Sequence, residues 1–107
     1  MFTEATADRI IAKDGETFFS YELIHKLLTV HELNPSQLVL YMAIYDRLNK
    51  RHGDPVIILD ELVEATGLNL TTVMKSVKVL QQKDLIEKWV PSNTNRRKSH
   101  WAVNKAV

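Results

Sequence analysis

The side chains best placed for chemistry fall in two short stretches of the sequence. Around Val77, taken as the centre of the buried side of a helix starting after Asn69, a helical wheel puts Thr71, Thr72, Lys75, Val79 and Gln82 on the opposite face. Ser76 and Lys78 lie on its flanks. Hydroxyls and glutamine can bond base edges or phosphates, lysine can pair with guanine or a phosphate, and Val79 can touch a thymine methyl. The second stretch, Ser92-Asn93-Thr94-Asn95-Arg96-Arg97-Lys98, is polar and ends in three consecutive bases, which suits phosphate contacts or an arginine in a minor groove. Each stretch has a plainer reading: the wheel fits the solvated face of any amphipathic helix, and a charged loop is commonly only solvated.

Catalytic and metal chemistries find less support. Gly15, Gly53 and Gly67 are too far apart for a phosphate-cradling loop. Glu22-x-x-His25 is half of a di-iron carboxylate motif whose second half is absent. His31, His52 and His100 lack ligand spacing and read as surface or capping residues. Asp60, Glu61 and Glu64 open a short helix, where acids favour the macrodipole. The absence of cysteine excludes disulfides, thiolate zinc sites and a cysteine nucleophile. The expectation is a protein that is not an enzyme and takes no cofactor or metal.

Composition sets the frame for these stretches. The 107 residues leave room for one domain with one core, and 45% hydrophobic with 25% charged residues is ordinary globular composition. No apolar run approaches the ~20 residues of a membrane span. The opening MFTEATADR carries acids and lacks the apolar segment of a secretion signal. A soluble cytoplasmic domain is expected. Charge is divided unevenly: Met1 to Asn69 holds six Lys or Arg against eleven Asp or Glu, a net of −5. Leu70 to Val107 holds eight basic residues against Asp84 and Glu87, a net of +6. A basic end on a nearly neutral chain suits a polyanionic partner.

The elements that must position these groups follow from local signals. Ala7 to Lys13 suggests a short helix stopped by Asp14-Gly15. Ser20 fits the N-cap of a helix over Tyr21 to Val30, with Phe19, Leu23 and Leu27 on one face. Asn34, Pro35 and Gln37 announce the next helix, ending near Arg51-His52-Gly53. Its stripes, Leu38-Tyr41-Met42-Tyr45-Leu48 and Leu40-Ile44, make it apolar nearly all round and therefore central. Val56 to Ile58 reads as a small strand and Asp60 to Thr66 as a short helix stopped by Gly67, with Leu68 plugging the junction. Asn69 caps a helix running to about Lys83, with Leu70, Val73, Val77 and Leu80 inward. Ile86 to Val90 and Ser99 to Val103 read as strands joined by a loop longer than a tight turn requires. Trp101 and Val103 should pin this hairpin to the core. Trp89 fits either packing or stacking, with packing preferred.

The stretch LDELVEATGLNLTTVMKSVKVLQQKDLI resembles the winged helix-turn-helix family through Leu62, Ala65, Gly67, Leu68, Asn69, Thr72, Val73, Val77, Leu80, Leu85 and Ile86. The family's usual glycine before Leu-Ile is Asp84 here, a residue that tolerates the left-handed conformation. The resemblance spans roughly residues 34 to 104. It implies a mainly α fold with a small β-hairpin, in which residues 1–33 form a helical extension and residues 34–107 the winged-helix domain. It also implies a DNA-binding surface of Asn69, Thr71, Thr72, Lys75, Ser76 and Lys78 on the recognition helix, with Arg96, Arg97 and Lys98 on the wing.

Two groups of relatives are similar: MarR-like regulators, and the N-terminal domains of phage and plasmid replication initiators of the DnaD type. LNPSQLVLYMAIYDRLNKRHGDPVIILDELVEATGLN is closer to the second. The chain stops at Val107, before the C-terminal helices that make the MarR-like dimer. A homodimer would instead use Phe18, Phe19, Leu23, Ile24, Leu27 and Leu28 with Leu40 and Ile44, unless these close a monomeric core. The implied function is sequence-specific double-stranded DNA binding by a prokaryotic, phage or plasmid transcriptional regulator. An origin-binding domain and a protein-interaction module without DNA binding are the alternatives.

Overall fold

Local capping chemistry sets the element boundaries in the computed structural model, which describes residues 11–13, 16–50, 56–89 and 98–104. Ser20 accepts from the Leu23 amide at 3.0 Å and starts α1, Tyr21–Thr29. Asn34 and Gln37 form a reciprocal capping box, the Gln37 amide donating to Asn34 Oδ1 at 2.9 Å and the Asn34 amide to Gln37 Oε1 at 3.0 Å. It opens α2, Pro35–Lys50. A short strand, Val56–Ile58, leads into Leu59–Thr66 and then Leu70–Gln82. With the N-terminal strands numbered first, these are β3, α3 and α4; β4 is Ile86–Trp89 and β5 is Lys98–Val103.

The helix expected over Ala7 to Lys13 is not formed at residues 11–13, and residues 7–10 lie outside the described residues. Ile11–Lys13 (β1) pairs antiparallel with Glu16–Phe18 (β2), Ile11 opposite Phe18. The two intervening residues lie outside the described part, yet Asp-Gly between short runs is a hairpin signal as well as a helix stop. Gly53, the expected terminator of α2, also falls outside the described residues.

β5 is the middle strand of a three-stranded antiparallel sheet of order β3-β5-β4. Helix, small strand, helix, turn, helix and hairpin, with the small strand closing the sheet, is compatible with a winged helix-turn-helix arrangement. α2 lies at its centre, as its double stripe requires: Leu40, Tyr41, Ile44 and Tyr45 are all buried. Burial, and secondarily the neighbouring Tyr45, raises the pKa of Tyr41, so its hydroxyl stays protonated. It donates to the Asn104 carbonyl at 3.2 Å, tying the end of β5 to α2.

α1 belongs to the same core. Leu23 and Leu27 are buried in one cluster with the residues of α2, and the Phe19 ring meets Tyr45 edge-on at 6.0 Å. Burying two leucines is worth about 3–6 kcal/mol. That stabilises a nine-residue helix that would not persist alone in water.

Each helix of the helix-turn-helix ends on a left-handed residue. Gly67 closes α3 at φ 73°, and a β-carbon added there would meet nothing within 4 Å, so the glycine serves conformation alone. Asp84, at φ 58°, follows α4. There the Leu85 amide bonds the Leu80 carbonyl and the Asp84 amide the Gln81 carbonyl, a Schellman motif sealed by two buried leucines. Opposite outcomes follow for two substitutions. Gly67→Ala should destabilise by about 1–2 kcal/mol, and Asp84→Gly should stabilise by up to about 1 kcal/mol. Urea-unfolding midpoints check both; a raised midpoint for Gly67→Ala would contradict the left-handed turn.

Candidate nucleic-acid interface

The turn between α3 and α4 is held by short-range bonds that leave little freedom in where α4 begins. Thr66 Oγ1 donates to the Leu62 carbonyl at 2.7 Å and accepts from the Leu68 amide at 3.2 Å. The Gly67 amide bonds the Val63 carbonyl at 3.0 Å, and Leu68 packs against the core. Asn69 Oδ1 then accepts from the Thr72 amide at 2.8 Å, so the exposed Asn69 spends its acceptor on the cap. Thr71, Lys75, Lys78 and Gln82 follow on one exposed face at spacings of four, three and four residues. Neither lysine is ion-paired with another described residue.

Several residues occupy different positions from those the wheel predicts. Ser76 is buried, at 5% exposure, and leaves the candidate face. Thr72 and Val79 are half-buried. Leu70, predicted to point inward, is 40% exposed, and Met74, absent from the predicted face, is 48% exposed. One displacement explains most of this. The buried set Val73, Ser76, Val77 and Leu80 centres the inner side about 50° from Val77, at 100° per residue. That rotation takes Ser76 inward and brings Met74 out. Leu70 sits in the first turn, beyond the edge of the core, and a wheel carries no axial information. A small side chain at position 76 was the available sequence signal, since serine fits close helix packing as well as a polar face.

The hairpin divides by pleat. Ile86, Lys88, Ser99 and Trp101 face the helices, whereas Glu87, Trp89 and His100 face away. Trp101 is 1% exposed, and its Nε1 donates to the Ile57 carbonyl at 3.2 Å. Lys88 Nζ lies 5.4 Å from the Trp101 ring centroid, and partial burial lowers its pKa. Val103 packs against the core from the same strand. Trp89 is not core: it is 45% exposed, with His100 edge-on at 5.5 Å. Arg96 and Arg97 lie outside the described residues. Of Lys98, the backbone pairs with Ile58, and its side chain falls outside the description.

The expected dimer surface is largely consumed by the chain's own core. Leu23, Leu27, Leu40 and Ile44 are buried and Phe19 packs on Tyr45, while Phe18 and Leu28 remain exposed. Glu22 and His25 are exposed on α1, the histidine beside Tyr21. Among the described residues, no three His, Asp or Glu side chains group as metal ligands. No described helix is long and apolar enough to cross a membrane.

No protein-family model matches this chain, and no curated protein matches it in sequence. Its structure is similar to that of a possible transcriptional regulator from Methanosarcina mazei Go1, with 19% identity and a TM-score of 0.53. The match covers 91% of this chain and 75% of that one. At such identity the likeness is one of fold.

Proposed function

We propose that this protein binds double-stranded DNA in a sequence-specific manner and acts as a transcriptional regulator of a prokaryote, phage or plasmid. In this reading α4 enters the major groove and residues 91–98 form a wing on the flanking backbone or minor groove. The observation that carries it is the exposed row Thr71, Lys75, Lys78 and Gln82 on the helix that follows the capped turn. Two cations there, unpaired among the described residues, supply backbone affinity, and the hydroxyl and amide supply donors and acceptors for base edges. Supporting it are the +6 balance of Leu70 to Val107 and the fold shared with a possible transcriptional regulator. Nothing in this role requires a reaction, so the protein is read as a binding module rather than an enzyme, with no cofactor.

Fluorescence anisotropy with random-sequence duplex DNA at low and moderate salt tests the reading, with Arg96→Ala/Arg97→Ala as the control. Binding should weaken steeply with salt, and the double variant should bind more weakly with a salt slope shallower by up to about two units. Absence of binding at low salt would overturn it and favour a winged helix used for protein interaction.

A further inference from the structure

Leu70 and Met74 lie one turn apart on α4, 40% and 48% exposed, beside the exposed Lys75 and Lys78. We infer that this apolar pair reads the 5-methyl group of thymine in the major groove, a deepening that rests on the double-stranded DNA reading above. A docking stripe for a partner helix needs apolar anchors over two or more turns, at i, i+3 or i+4, and i+7. Here the strip stops after one turn, because the next position along it is Lys78 and Gln81 and Gln82 follow. The lysines instead draw a polyanion onto the same surface. Within the major groove the sizeable apolar feature of a base pair is the thymine methyl. Unbranched Met74 can follow that group through rotamer changes that a β-branched side chain could not make. Val79, which the helical wheel makes available for this contact, is half-buried on the other flank of the helix.

The test begins with a duplex site selected from random sequence by the intact protein, in which each thymine is replaced in turn by deoxyuridine. That change removes one methyl group and leaves charge and base pairing intact. At one or two positions the wild-type protein should lose about fourfold in affinity, the worth of one buried methyl-sized group. In Met74→Ala or Leu70→Ala the same deoxyuridine should cost nothing, while Met74→Leu should retain part of the penalty. Thermal unfolding of each variant verifies that it is folded, which the exposure of both residues favours. A selected site that tolerates deoxyuridine at every position would overturn the thymine contact and leave DNA binding intact. A penalty that persists unchanged in both alanine variants would overturn it too, assigning the methyl to another side chain. Failure to bind any duplex at low salt would overturn this inference together with the DNA reading, and would point to a protein partner for the pair.

Discussion

Trp101→Ala is expected to cost about 3–5 kcal/mol, a large share of the 5–15 kcal/mol that holds a domain of this size together. Trp101 is the largest fully buried side chain, on the middle strand of the sheet, and its removal would open a cavity where β5 meets the helices. It would also remove the donor to the Ile57 carbonyl, which ties β5 to β3, and leave the partly buried Lys88 ammonium without its aromatic face. Trp101→Phe keeps most of the packing and loses the indole hydrogen bond, so a smaller cost of about 1–2 kcal/mol is expected. Urea unfolding followed by circular dichroism separates the two. A cost below about 1 kcal/mol for Trp101→Ala would mean that the hairpin is not pinned through this residue. The consequence is geometric, because strands loose at Trp101 cannot hold β4 and β5 at a fixed position relative to α4.

What was legible in the sequence is what is local. Ser20, Asn34 with Gln37, Gly67 and Asn69 act over three or four residues, and each sits where its chemistry requires. Asp84 in the place of a glycine was legible for the same reason, since the left-handed turn is set by the bonds of Leu85 and Asp84 back to α4. Features set by tertiary neighbours were not legible. The angular zero of α4 depends on what packs against it, and an error of about 50° was enough to misplace Ser76 and Met74. α1 offers an apolar stripe that suits a dimer surface as well as a core, and only its contact with α2 decides for Leu23 and Leu27. Trp89 and Trp101 show the same limit within one hairpin. Alternation places each on a face, and the register Trp89 opposite His100 and Lys88 opposite Trp101 decides which face meets the helices. The apolar pair Leu70 and Met74 escaped notice because hydrophobic residues at helical spacing are ordinarily core.

The largest effect expected on binding comes from Lys75→Ala/Lys78→Ala, and it should appear without loss of stability. Both residues are exposed and make no ion pair among the described residues, so their removal exposes no buried partner. If each contacts one phosphate, each loss removes about 0.9 from the slope of log affinity against log salt, and about tenfold in affinity near 0.1 M salt. The double variant should therefore bind duplex DNA about 100-fold more weakly, with a slope shallower by nearly two units. Anisotropy titrations at four or five salt concentrations measure both quantities at once. The size of the slope change sorts the two roles that lysine can play on this face. A lysine bonded to a guanine edge would lose affinity at particular sequences, whereas a phosphate contact weakens all sequences alike. Ser76→Ala supplies the internal contrast: a buried residue on the opposite side of the same helix should leave affinity and slope unchanged. Equal losses from Ser76→Ala and the lysine pair would show that the effect runs through the packing of α4, and the exposed row would then lose its claim to the groove.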